Sequence, residues 1–360
     1  MSNNDYAVIM AGGGGTRLWP ASRKNRPKQL MKLGLGDRSL LRAAVDRAAA
    51  VVGLKNVLVV TAQSQAEAVQ ADLPMLSADQ ILAEPVGRNT APCIGLAALY
   101  VYQRNLQANL AVLPADHHIG DTAEFSRIVA QALEQSAGGQ IVTLGIKPSR
   151  PETGYGYIET GGAVTGCLDT FWAREFKEKP DRQTALQYLD AGNFLWNSGM
   201  FFMTAKRILN EIERFLPDLS AKLFELSESL KKGTHSFVQK LNTVYPTIKP
   251  ISIDYGVMEK VDALQVIPAR FGWNDVGSWQ ALAEIHPGDA QGNVSLGDNY
   301  LIDVNDCVVF SDDGRQVALL GVEDLVVVSS GEGVLVCPKA RAQQVRRVVE
   351  QLKRTQKTDQ

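Results

Sequence analysis

Cysteine is scarce in this 360-residue chain: Cys93, Cys167, Cys307 and Cys337 are scattered, with no paired spacing for zinc or a redox motif. Four histidines are the only other soft ligands, so a structural metal site has no donor set. Long apolar runs are missing too. None approaches the roughly 18 residues of a membrane span, and no basic region followed by an apolar core marks a signal peptide. Neither sign of charge is in excess: 37 Lys and Arg against 39 Asp and Glu give a formal net charge of -2. A broad basic surface for nucleic acid is thereby excluded, and any phosphate binding must be local. The expected compartment is the cytoplasm, with the cysteines reduced.

The composition, 45% hydrophobic and 21% charged, is that of a globular protein, and the length points to two domains. The densest feature lies at the start. Tyr6–Met10 reads as a short buried strand that empties into Gly12, Gly13, Gly14 and Gly15, followed by Thr16, Arg17 and, after Pro27, Lys28. Glycine lacks a Cβ and tolerates positive φ, so several backbone N–H groups can converge on one anion. Arg17 and Lys28 add cationic donors beside that nest. A P-loop needs Gly-Lys-Ser/Thr, which no frame here supplies. A dinucleotide fingerprint needs a small residue where Arg17 stands. A ligand-free glycine-rich hairpin would explain the glycines alone but not the two cations.

Short continuous apolar runs (Asn56–Thr61, Ile81–Glu84, Leu110–Leu113, Ile141–Gly145) alternate with helical segments starting near Ser39, Thr90 and Thr122. Ser39 and Thr90 read as N-caps. This alternation predicts an α/β fold, a Rossmann-like parallel sheet with helices on both faces. Gly12, Glu84 and Asp116 would then sit beyond carboxyl ends of strands, where such sheets bind ligands. From Pro151 to about His286 glycine-rich turns, aromatics and helices near 181–191, 204–213 and 217–231 elaborate one side of the sheet. Beyond Gly288 five short strands spaced roughly 8–10 residues apart give an all-β signal, either stacked β coils or a small sandwich. A basic amphipathic helix follows from Ala340. The expected domains are 1–287 and 288–360.

Several residues could carry chemistry. Asp116 lies just past a buried strand, and Asp275 is framed by glycines and tryptophans in Gly272–Trp279. Mg2+ takes one or two carboxylates plus substrate phosphates, yet a turn explains Asp116 and a helix N-cap explains Asp275 equally well. His117 and His118 read as loop residues. Phe176–Pro180 offers Lys179 for a phosphate and Glu178 for sugar hydroxyls, or simply a solvated charged turn. Gly154–Tyr157 and Trp196–Phe202, with Asn197, suit a sugar pocket, although Trp196 and Phe201 suit a core. In Glu84–Thr90 a carboxylate is apt for guanine; a plain loop is the alternative.

Taken together, Gly12–Leu18, Pro27–Gln29, Asp116, Glu178–Pro180, Asn197 and Asp275 resemble the sugar-1-phosphate nucleotidyltransferases. Trp19-Pro20, Glu84–Thr90, Trp196–Phe201, Ser252–Glu259 and Trp273–Trp279 are similar to the bacterial mannose-1-phosphate guanylyltransferases in particular. The resemblance implies a mixed, mostly parallel nucleotide-binding sheet followed by a small left-handed β-helix. It implies that Asp116 and Asp275 share a Mg2+ ion, and that the Gly12–Gly15 backbone, Thr16, Arg17 and Lys28 hold the triphosphate of GTP. Glu84, Arg88 and Asn89 would lie near the guanine. Lys179 would hold the phosphate of mannose 1-phosphate, with Gly154, Glu178 and Asn197 on its hydroxyls. A homodimer through residues beyond about 290 is expected. Ser329–Val336 lacks the Thr-x-Asp-Ala usual before the last β run, and the end at Gln360 leaves out a fused isomerase, so no isomerase activity is expected. The alternatives are the same chemistry on glucose 1-phosphate with UTP or dTTP, and a non-catalytic regulator that binds GDP-mannose.

Overall fold

The computed structural model describes residues 4–13, 16–23, 26–34, 36–331 and 333–358. The chain forms two compact units. The first comprises Met1–Gly12, Ala44–Ala115 and Asp121–Phe271, and the second Gly13–Ala43, Asp116–Gly120 and Gly272–Gln360.

The first unit is built on a nine-stranded sheet. Its strands are β1 (Asp5–Met10), β2 (Val57–Ala62), β3 (Ile81–Glu84), β4 (Asn109–Pro114), β5 (Ile141–Ile146), β6 (Tyr157–Ala163), β7 (Phe171–Lys177), β8 (Phe194–Thr204) and β9 (Leu264–Ala269). They lie in the order β3-β2-β1-β4-β8-β5-β9-β7-β6, with a further pairing of β8 and β6. The apolar runs form parallel pairs β1–β2, β2–β3, β1–β4 and β5–β9. The sheet is mixed, as expected, and seven of its nine strands run one way, with β7 and β8 against them. Pairs β4–β8, β5–β8, β7–β9, β6–β7 and β6–β8 are antiparallel. The reversals come from β7 and from β8, an 11-residue strand that enters between β4 and β5.

Side chains alternate along each strand, so both faces need cover. On one face Val8, Val60, Leu110 and Val112 pack with Ile94, Leu96 and Leu99 of helix α1 (Thr90–Tyr102). Helix α1 is apolar almost all round because α3 (Ala205–Phe215) and α4 (Pro217–Leu230) cover its far side. The other face takes α2 (Thr122–Ala137), whose Phe125, Ile128, Val129 and Leu133 are buried and which packs on β4, β5, β8 and β9. Asp121 caps α2 by accepting from the Glu124 N–H at 2.9 Å. Helix α1 is capped by Asn89, not Thr90. The Asn89 side chain accepts the Thr90 N–H, leaving the Thr90 hydroxyl to accept from the Ile253 N–H at 2.8 Å. Helix α5 (Thr234–Val244) adds Phe237, Leu241 and Val244 to the same core.

In the second unit β10 (Val294–Leu296), β12 (Val308–Ser311) and β14 (Leu325–Ser330) stack in parallel. Strands β11 (Asn299–Ile302) and β13 (Val317–Leu320) form a second parallel pair. Successive turns of chain therefore lie on one another as coils, with Val304, Cys307, Val309, Leu319 and Val327 clustered as one core. Strand β15 (Gly333–Pro338) folds back antiparallel on β14 and leads to helix α6 (Val345–Thr358). Opposite residues of the larger sheet, Val308, Phe310, Val326 and Val328, pack with Leu18, Met31, Leu33 and Trp279. The Gly13–Ala43 segment is thus built onto the coils. Trp279 Nε1 donates to the Trp19 carbonyl at 2.9 Å and Arg23 to the Ser330 carbonyl at 2.8 Å. Among the described residues no helix is long and apolar enough to cross a membrane.

Candidate active site

Three groups of polar residues stand out, two in the first unit and one in the second. In the second unit a short antiparallel pairing of His118–Ile119 with Trp273–Asn274 draws the Asp116 and Asp275 segments together. Lys28, in a single 3-10 turn after Pro27, is only 7% exposed. Its Nζ donates to Asp116 Oδ2 at 2.8 Å and to the Asp275 backbone carbonyl. The Asp275 carboxylate accepts from the Gly277 N–H at 3.1 Å, closing a turn. Partial burial by itself would raise the Asp116 pKa, but the Lys28 ammonium, by its charge and its hydrogen bond, with Arg17 beside it, outweighs this and holds the carboxyl at about 2.

Sequence reasoning passes over His117, which flanks this cluster. Trp273 Nε1–H, which can only donate, reaches His117 Nδ1 at 3.1 Å. The Nδ1 lone pair is thereby engaged, the proton of the neutral ring sits on Nε2, and Nε2 lies 3.8 Å from Asp116 Oδ1. Arg17 is exposed in the short turn Thr16–Leu18. Gly14 and Gly15 lie outside the described residues, as does the Thr16 side chain.

No group of three or more His, Cys, Asp and Glu suited to a metal occurs among the described residues. Asp116 and Asp275 offer only oxygen donors, and the Lys28 ammonium bonds the carboxylate of the first and the backbone carbonyl of the second. Such a set suits a hard ion that completes its shell with water and substrate oxygens, as Mg2+ does, and not zinc.

In the first unit Glu84 ends β3 and is 3% exposed. Tyr245 donates its hydroxyl to Glu84 Oε1, and burial pushes the carboxyl up to about 7 despite that bond. Its other oxygen faces the bare Cα of Gly12, where a Cβ would lie 3.2 Å away. The Arg88 guanidinium donates to the Pro246 carbonyl, and Ala91 N–H to the Ile251 carbonyl at 3.1 Å. The Glu84–Thr90 loop, with Asn89 as cap, is therefore fastened to the 245–253 segment by its own polar groups.

The other group of that unit gathers Gly156, Glu178, Lys179, Asn197 and Asp254. Glu178 is 7% exposed and accepts from the Lys179 ammonium through Oε1, while Oε2 has no hydrogen-bond partner among the described residues. A Cβ at Gly156 would lie 2.5 Å from Glu178 Oε2 and 3.2 Å from Asn197 Cβ, so glycine keeps this hollow open. Lys179 has a φ of 48°, a left-handed conformation costly for lysine. Tyr155 meets Trp196 edge-on at 5.2 Å alongside. Asn197 donates to Asp254 Oδ1 at 2.9 Å. Burial first, and Glu178 second, raise the Asp254 carboxyl to about 6. Gly154 is exposed and donates its N–H to Glu152 at 3.0 Å. Gly156 and Asp254 escape sequence reasoning. The first is the other glycine of Gly-Tyr-Gly; the second sits in Ser252–Glu259, a stretch with no local sign of a partner at Asn197.

A model of the family described as "Nucleotidyl transferase" matches residues 6–292, and one described as "MannoseP isomerase/GMP-like beta-helix domain" matches 297–352. An Escherichia coli protein named mannose-1-phosphate guanylyltransferase is 40% identical over 355 residues, covering 98% of this chain and 74% of that one. The chain belongs to the mannose-1-phosphate guanylyltransferases of the nucleotidyl transferase family. The alginate biosynthesis protein AlgA of Pseudomonas aeruginosa is 38% identical, with 96% of this chain and 71% of that one covered. A Thermus thermophilus structure described as a mannose-1-phosphate geranyltransferase has a TM-score of 0.85 at 38% identity, covering 97% of this chain and 99% of its own. Nucleotidyl transfer is thus the chemistry of the family, and the C-terminal coils are its β-helix domain.

Proposed function

We propose that this chain transfers GMP from GTP to α-D-mannose 1-phosphate, releasing pyrophosphate, in a Mg2+-dependent reaction. Near-full-length likeness to relatives named for mannose 1-phosphate carries the substrate assignment. An oxygen of the sugar phosphate attacks the α-phosphorus in line while pyrophosphate leaves from the opposite side. The nucleophile is already anionic, so no general base is needed, and the obstacle is charge. Lys28 and Arg17 offset the charge that builds on the leaving pyrophosphate. Asp116 and Asp275 would hold Mg2+, which when bound polarises phosphoryl oxygens as a Lewis acid. Lys179 holds the sugar phosphate, Glu178, Asn197 and the 154–156 backbone the hexose, and the loop from Glu84 to Asn89 flanks the base.

We also propose a homodimer through the β-helix domain. In support, Tyr300, Ile302, Ala318 and Leu320 form an apolar outward row on β11 and β13, and light scattering on the purified chain tests it. Pyrophosphate release measured over a matrix of nucleotides and sugar 1-phosphates tests the reaction. GTP with mannose 1-phosphate should dominate; a preference for UTP or dTTP with glucose 1-phosphate would refute the assignment.

A further inference from the structure

Asn197 is held from both ends. Its Oδ1 accepts the Gly199 N–H at 3.0 Å, and its Nδ2 donates to Asp254 Oδ1 at 2.9 Å. Rotating the amide by half a turn would set nitrogen against an N–H and oxygen against a carboxylate, so both contacts would become repulsive. The orientation is therefore fixed, and the second Nδ2 hydrogen remains for a ligand. Beside it lies Glu178 Oε2, an acceptor buried without a partner among the described residues. Asn197 Nδ2 and Glu178 Oε2 both face the position a Gly156 Cβ would take, at 3.6 and 2.5 Å. One N–H donor and one carboxylate acceptor side by side match two adjacent hydroxyls, one accepting and one donating.

We infer that Asp254 is a positioning residue of the hexose pocket, acting through Asn197 to present that donor–acceptor pair to a vicinal diol. Asp254 touches no reacting atom in this account. Its burial supports the role, because an unpartnered carboxyl there would be costly and the Asn197 amide is its partner. The inference rests on the proposed sugar phosphate as occupant of the pocket.

Wild-type formation of GDP-mannose is measured first; its absence overturns the substrate assignment. With wild-type turnover in hand, D254A should raise the KM for mannose 1-phosphate about tenfold and leave the KM for GTP within twofold. Calorimetry should give about tenfold weaker binding of GDP-mannose and unchanged binding of GDP. D254N keeps an acceptor for the Asn197 amide and should restore both values to within threefold of wild type. In an N197A background D254A should have no further effect on the sugar KM, since the pair acts as one. Should D254A fail to fold, D254V replaces it with apolar bulk. A sugar KM within twofold of wild type in the non-accepting variant overturns the role of Asp254. So does equal weakening of GDP and GDP-mannose, a D254N as impaired as D254A, or additive effects of D254A and N197A.

Discussion

Lys28→Ala removes the cation of the second unit's cluster, and its two bonds set the scale. The ammonium donates to the Asp116 carboxylate at 2.8 Å and to the Asp275 carbonyl. A hydrogen bond to a charged group is worth about 1.5–3 kcal/mol. The Asp116 side chain is 38% exposed, so solvent screens the pair and takes over part of the loss. The cost to stability should therefore be about 2 kcal/mol, a few degrees in melting temperature. The cost to catalysis should be larger. Removing one preorganised donor from developing charge lowers kcat by roughly 100- to 1000-fold. Asp116 loses the first of the charges that depress its pKa and moves up from about 2, yet stays ionised near neutrality. Raising the pH therefore should not restore turnover. Lys28→Arg should not rescue it either, because the broad guanidinium does not fit the buried slot of an ammonium. Steady-state pyrophosphate release with each substrate varied, together with thermal melts, reads all of this. A K28A enzyme with kcat within threefold of wild type would refute the reasoning, as would one altered only in its KM for mannose 1-phosphate.

Asp116→Ala should abolish turnover while leaving the fold intact by circular dichroism, and near-normal activity would sink the metal assignment. Chelation with EDTA should stop pyrophosphate release and added Mg2+ restore it; undiminished release in EDTA speaks against a metal. Glu84 has its pKa raised from 4.5 to about 7, so the native state retains a proton that the unfolded chain has released. Stability should fall as pH rises from about 4.5 to about 7 and then level off, by up to about 3 kcal/mol. Glu84→Gln should flatten denaturant midpoints over that window; an unchanged slope would show that Glu84 is not its source. Gly156→Ala places a methyl against Glu178 Oε2 and should raise the KM for mannose 1-phosphate about tenfold or more, with the KM for GTP little changed, which the same kinetics check.

Much of the fold is legible locally. Continuous apolar runs mark β1 to β5, and the spacing of short strands beyond Gly288 marks the coils, because these patterns report burial within a few residues of each position. Neighbour order is not local. Nothing in Phe194–Thr204 or Phe171–Lys177 states that these two strands will run against the other seven. Likewise, Gly13–Ala43 follows β1 without interruption yet clusters with Gly272–Gln360 through Trp279 and Arg23. In the site, residue types such as paired acids and lysines are visible in sequence, whereas their partners are not. The bond from Asn197 to Asp254 spans 57 positions, and that from Tyr245 to Glu84 spans 161. Gly156 is legible only as a glycine; the hollow it preserves is a property of two side chains brought in from elsewhere.

The reversed strand β8 also bears on how selectivity can be altered. It pairs Val112 with Phe201 and Asn109 with Thr204, so its first residues, Asn197 among them, arrive at the end where β4 finishes. Running the other way, the same residues would emerge at the opposite edge of the sheet. An antiparallel insertion thus brings amide chemistry to an edge otherwise furnished by strand exits, without lengthening any loop there. The amide is also carried on a strand buried between two neighbours and has little freedom to drift. Redesign for a different hexose would accordingly have to proceed by exchanging side chains at fixed backbone positions, since the strand gives no slack for insertions.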